Sequence, residues 1–146
     1  MASVKELLAQ KDGGQLLVAT ADTSVLDAAE QMNARGTGSV LVLEAGKLIG
    51  IFTERDLMRR VVAVRRNAES TVLREVMTTA LVTCTPDATT NDCGALMSDR
   101  RIRHLPVVDG DQVLGVITTG DLLAHELREK DATIQQLEAF VFYVRQ

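Results

Sequence analysis

There is no tryptophan in this chain, and only four of its 146 residues are aromatic: Phe52, Phe140, Phe142 and Tyr143. A platform for stacking bases is therefore missing. Positive charge is short as well, with sixteen Lys and Arg against twenty Asp and Glu for a net charge of −4. That speaks against a nucleic-acid binder, which needs a basic face to displace counterions, and against a polybasic membrane patch. No apolar run approaches the roughly 20 residues that cross a bilayer. The opening Met1-Ala2-Ser3-Val4-Lys5-Glu6 lacks a signal-peptide core, so a cytoplasmic chain is expected. Cys84 and Cys93 are too few for a disulfide scaffold or a zinc cage and read as small buried groups. No metal site is expected. The remaining composition, 46% hydrophobic and 25% charged, is that of an ordinary globular protein.

What the sequence does have is an internal repeat. Leu16 to Met58 overlays Leu81 to Leu123 without a gap, at a shift of 65 residues. Eleven of the 43 aligned positions are identical, among them Asp22/Asp87, Asp27/Asp92, Met32/Met97, Gly50/Gly115, Thr53/Thr118 and Asp56/Asp121. Chance at ordinary composition gives roughly three. The chain is a duplicated unit.

Each copy reads as β-α-β-β-α. Leu16-Leu17-Val18 and Leu81-Val82-Thr83 are β-prone. Ser24 and Thr89 sit as helix N-caps with Asp27 and Asp92 three residues on. Val40 to Leu43 and Leu48 to Phe52 flank Glu44-Ala45-Gly46-Lys47 as a hairpin, matched by Pro106 to Val108 and Val113 to Ile117 around Asp109-Gly110-Asp111. Thr53 and Thr118 open the closing helices. The expected fold is α+β, a tandem pseudo-twofold repeat whose two halves share one core, since about 50 residues bury too little alone. The expected divisions are an N-terminal helix or linker over 1–15, unit one over 16–66, a linker over 67–80, unit two over 81–130, and a helical extension over 131–146. In that extension Phe140, Phe142 and Tyr143 crowd one end of an apolar stripe, readable as packing on the module or as a homodimer contact.

These residues resemble a known family, the CBS-domain pair or Bateman module, named after cystathionine β-synthase. The resemblance rests on Gly50-Ile51-Phe52-Thr53-Glu54-Arg55-Asp56-Leu57 and Gly115-Val116-Ile117-Thr118-Thr119-Gly120-Asp121-Leu122. Arg103-His104-Leu105-Pro106-Val107-Val108-Asp109 and Val76-Met77-Thr78 add to it. It implies an adenosine-containing ligand (AMP, ADP, ATP, NAD or S-adenosylmethionine) in the cleft between the units, and a sensor acting on a protein partner. It also implies homodimeric discs, and 146 residues leave no room for an attached enzyme domain, so none is expected.

The residue types suit such a ligand. A short carboxylate at Asp56 or Asp121 can accept from both ribose hydroxyls. Thr53 and Thr118 stand at the same helix mouths, where free N–H groups favour phosphate. The resemblance puts phosphate-contacting groups at Arg103 and His104. Their counterparts Gly38 and Ser39 carry no charge, so the two sites are expected to differ, and a phosphate-bearing ligand is favoured over a cationic sulfonium. The expected base pocket is Thr20 and Ala21, Thr85 and Pro86, Ser39 and Val40, Leu105 and Pro106. Thr-x-x-Asp is equally a helix capping box, a purely structural reading. His104 reads alternatively as a structural histidine, and the Arg100–Arg103 stretch as a solvated turn or as an anion funnel into the cleft. The competing functions are a ligandless oligomerisation module and, third, a small nucleotide-acting enzyme. The sequence offers the enzyme no phosphate-binding loop and no Ser/His/Asp arrangement.

Overall fold

The computed structural model describes residues 2–11 and 16–130. The apolar stripe and aromatic cluster of 131–146 lie outside the described residues. The elements run α1 (Val4–Gln10), β1 (Val18–Ala19), α2 (Val25–Arg35), β2 (Ser39–Glu44), β3 (Lys47–Thr53) and α3 (Glu54–Asp56). A π-helical turn (Leu57–Val62) continues α3. There follow α4 (Leu73–Val76), α5 (Thr90–Arg100), β4 (His104–Asp109), β5 (Gln112–Thr118) and α6 (Thr119–Glu129).

The two hairpins are copies. β2 and β3 pair antiparallel across Ala45-Gly46, both with positive φ as a tight two-residue turn requires. The register slips by one residue after Val42, and after Val107 in β4–β5, the same place in each copy. β1 adds in parallel to β2 through Val18 and Ala19. In the second copy the strand expected at 81–83 does not form, and a single bridge from Cys84 to Val107 takes its place.

Alternation along β2 and β3 sends Val40, Val42 and Phe52 to one face, against Val25, Ala28 and Met32 of α2. Leu105, Val107 and Ile117 do the same in the second unit against Cys93 and Met97 of α5. These make two separate cores, which corrects the expectation of a shared one. The units instead meet through β3 and β5.

Each core is completed by the segment that precedes the other unit in the chain. Residues 67–80 are more than a connection, for Leu73, Val76 and Met77 pack into the first core. The second core is completed by Val4 and Leu7 of α1, from the far end of the chain. The backbone contacts repeat one for one. Leu73 N donates to Thr23 O (2.9 Å) and Arg74 N to Ala21 O (2.9 Å). Val4 N donates to Ala88 O (2.9 Å) and Lys5 N to Pro86 O (3.1 Å). The duplication therefore reaches back to residues 2–8, which match 71–77 at a shift of 69 rather than 65.

Candidate functional site

Thr53 caps α3, accepting from Asp56 N at 3.3 Å, while Thr53 N donates to Asp56 Oδ2 at 3.0 Å. Thr118 and Asp121 repeat this reciprocal box on α6, at 3.1 and 2.8 Å. The structural reading of Thr-x-x-Asp thus holds in both copies. What differs is the rest of each carboxylate's company. Asp56, only 6% exposed, also accepts from Thr53 Oγ1 (3.2 Å) and from Thr78 Oγ1 (3.0 Å), with Arg60 Nε at 3.7 Å. Asp121 instead faces Lys11, whose Nζ lies 2.9 Å from Oδ2.

Two clefts are built around these helix mouths. The larger, about 540 Å³, is lined by Thr53, Asp56, Ile51 and Thr78 of the first unit and by Arg101, Ile102, Arg103 and His104 of the second. It brings together four of the sequence-predicted residues: Asp56, Thr53, Arg103 and His104. The smaller, about 160 Å³, is lined by Thr118, Val116 and Gly115 of the second unit, by Ser39, Thr37 and Leu17 of the first, and by Leu8 and Lys11. The basic pair of the second unit thus lines the cleft of the first unit's carboxylate.

Five arginines, 55, 59, 60, 101 and 103, line the larger cleft against the two carboxylates Glu54 and Asp56. Such a positive surplus is concentrated in a chain whose net charge is −4. Two of the five are tied. Arg60 Nη1 donates to Val76 O and Met77 O, and Arg55 Nη1 crosses to the second unit to donate to Arg101 O at 3.0 Å. Among the described residues no hydrogen bond or ion pair engages the guanidinium of Arg59, Arg101 or Arg103. Of these three, Arg103 is a sequence-predicted contact and Arg101 belongs to the stretch readable as a turn or an anion funnel, whereas Arg59 is legible only as a helix-surface charge. The π-helical turn, in which Ala63 N reaches back to Met58 O (2.8 Å), distinguishes this closing helix from α6, and such turns recur at functional sites.

His104 is held below its ordinary pKa of 6.5, first by burial, with Arg103 and Lys11 acting in the same direction and Glu54 and Asp121 opposing them. It stands where Gly38 leaves room: a Cβ on Gly38 would lie 2.6 Å from Glu54 Oε1 and 3.1 Å from His104 Nε2. The uncharged counterpart of Arg103 thus sits against the tips of two side chains, Glu54 and His104.

The expected base pocket is not assembled by side chains. Val40 and Leu105 point into the two cores, as does Ala21. Thr20 Oγ1 pairs with Thr23 Oγ1 at 3.2 Å, and Thr20, Thr85, Pro86 and Pro106 line neither cleft. The carbonyls of Ala21 and Pro86 are taken by Arg74 N and Lys5 N, and that of Pro106 by Cys84 N. Only Ser39 of this set reaches a cleft, the smaller one. Burial pushes the Cys84 thiol up to about 12, favouring its protonated form, and Cys93 is raised for the same reason. Among the described residues no group of three or more His, Cys, Asp or Glu is placed to hold a metal ion. No described helix is long and apolar enough to cross a membrane.

The CBS domain family model matches residues 4–63 and 73–128, and the two matches begin at α1 and α4, the segments that complete the cores. The chain is 33% identical over 133 residues to the CBS domain-containing protein CBSX3, mitochondrial, of Arabidopsis thaliana, covering 88% of this chain but 65% of that relative. It is 32% identical over 132 residues to the CBS domain-containing protein YhcV of Bacillus subtilis, covering 90% and 91%. The solved CBS domain NE2398 superposes with a TM-score of 0.82 at 35% identity, over 86% of this chain and 98% of that one. A more distant solved structure, at 23% identity and a TM-score of 0.75, covers 89% of this chain and 98% of its own. It is the CBS domain pair of protein MJ0100 in complex with 5′-methylthioadenosine and S-adenosyl-L-methionine. The chain belongs to the CBS domain family and carries a pair of such domains.

Proposed function

We propose that this CBS pair is a regulatory module that takes an adenosine-containing ligand in the larger cleft, with no catalytic step of its own. The observation that carries the reading is the convergence, in one volume of about 540 Å³, of the Asp56 carboxylate from one unit with Arg103 and His104 from the other. That volume falls in the range of small-molecule sites, roughly 300–1,000 Å³. It also argues against the ligandless alternative, in which side chains fill the cleft. The complexed adenosine ligands of the MJ0100 pair support the class of ligand, at the level of a shared fold.

In this reading the ribose diol donates to Asp56 and replaces the hydroxyls of Thr53 and Thr78, an exchange of like for like. The phosphate end lies toward Arg59, Arg101 and Arg103, which selects AMP, ADP, ATP or NAD over a cationic sulfonium. A ligand held by both units biases the angle between them, and only its differential affinity for the two arrangements can signal to a protein partner. A second copy of the chain covers the exposed apolar pairs Met58/Val62 and Leu123/Leu127, which stand at equivalent positions of the two units.

The test is calorimetric titration with AMP, ADP, ATP, NAD and S-adenosylmethionine, together with mass spectrometry of nucleotide released by heat. We expect a phosphate-bearing adenosine ligand to bind and the Asp56→Ala variant to lose at least tenfold in affinity. Absence of binding by all five, or unchanged affinity in the variant, would overturn the assignment.

A further inference from the structure

We propose that Lys11 closes the second cleft, so that the chain takes one ligand rather than two; this rests on the reading of the Asp56 cleft above. The two carboxylates are equivalent in sequence and in their capping boxes, yet they are guarded differently. In the first unit the chain after α4 lays Thr78 beside Ile51, with backbone hydrogen bonds in both directions, and offers Asp56 a neutral hydroxyl. In the second unit the corresponding helix, α1, runs to Gln10 instead of stopping after one turn. A lysine side chain then fills the place of the Thr78 backbone. Lys11 Nζ donates to the carbonyl of Val116, the counterpart of Ile51, at 2.7 Å and reaches Asp121 Oδ2 at 2.9 Å.

A hydroxyl can turn its proton and yield to a diol. An ammonium that already neutralises the carboxylate leaves a ribose nothing to gain. The lysine is also held in place. Gln10 Oε1 accepts from Arg128 Nη2 of α6 at 2.9 Å and lies 3.3 Å from His125 Nδ1. Leu8 seals the same wall, its Cδ2 lying 2.7 Å from where a Cβ on Gly115 would be. The remaining space, about 160 Å³, is well under the roughly 300 Å³ at which small-molecule sites begin. Asp121 is not among the residues lining it, whereas Asp56 lines the larger cleft. The N-terminal helix is in this sense an intramolecular competitor for the second site.

The stoichiometry of ATP, and separately of AMP, decides the matter. The wild-type chain is expected to saturate at one nucleotide per chain. Lys11→Ala should gain a second, weaker event, Lys11→Arg should stay at one, and Lys11→Ala/Asp121→Asn should return to one. Two nucleotides per wild-type chain, or one per Lys11→Ala chain, would overturn the latch while leaving the Asp56 site intact. No binding of either nucleotide in any of these proteins overturns the site reading itself, and the latch with it.

Discussion

His104 joins the two units' chemistry and is the residue with the clearest pH signature. Its native pKa lies below the ordinary 6.5 because burial disfavours the imidazolium. The unfolded chain therefore binds its proton first as pH falls. Between the ordinary value and the lower native one, the unfolded state holds more protons, so stability falls as the pH falls. The contribution of His104 is complete above about pH 6.5 and is lost as pH falls through the native value. Denaturation midpoints at pH 7.5, 6.5 and 5.5 should decline less steeply for His104→Gln than for the wild type. Parallel slopes would remove His104 as the source. A bound phosphate favours the imidazolium, so affinity for a phosphate-bearing ligand should rise from pH 7.5 to 6, and the variant should lose that rise.

At the scale of elements, the N-terminal helix is the least conspicuous piece and one of the most consequential. Leu7 is 1% exposed in the second core, so Leu7→Ala should cost about 2–5 kcal/mol in urea unfolding. A loss under about 1 kcal/mol would show that α1 does not complete that core. The α-β-β-α body of both units, though not the opening strand of the second, was legible in the sequence because Leu16–Met58 and Leu81–Leu123 align without a gap. The caps at Thr53, Thr89 and Thr118 were legible because capping depends on local spacing alone. The role of α1 was not, since four extra residues between Leu8 and Leu17, relative to Met77 and Val82, break the register of the repeat. The sequence Val4-Lys5-Glu6-Leu7-Leu8 against Leu73-Arg74-Glu75-Val76-Met77 was the available signal. The residues expected at the base pocket are dispersed for a different reason. Strand alternation puts Ser39 in a cleft and its neighbour Val40 in a core, and which carbonyls remain free depends on α1 and α4 docking.

For the molecule as a whole, the presence of Arg103 and His104 on the cleft that Asp56 lines is a property of how the units face each other, which no local pattern encodes. The same arrangement makes ligand and fold interdependent. A nucleotide bridging the units should stabilise the folded chain by about 2.7 kcal/mol at a hundred times its Kd, read as a raised Tm. No shift in Tm at that concentration would mean that the ligand does not bind the folded state selectively. The repeated apolar patch predicts a dimer by light scattering, and a chain carrying both Met58→Glu and Leu123→Glu should have half its mass. A monomeric wild type, or a variant that keeps the dimer mass, would assign the patch to something other than a second copy.

Because α1 seals the half of the protein furthest from it in the chain, synthesis and folding run out of order. At about 5–20 residues per second, Val4 leaves the ribosome on the order of ten seconds before Ile117. Throughout that interval α1 has no seat, and the later half stays unsealed until those earlier-made residues return to it. Cutting the gene between the units would therefore yield one fragment with a stray helix and another with an open hydrophobic floor, rather than two independent proteins.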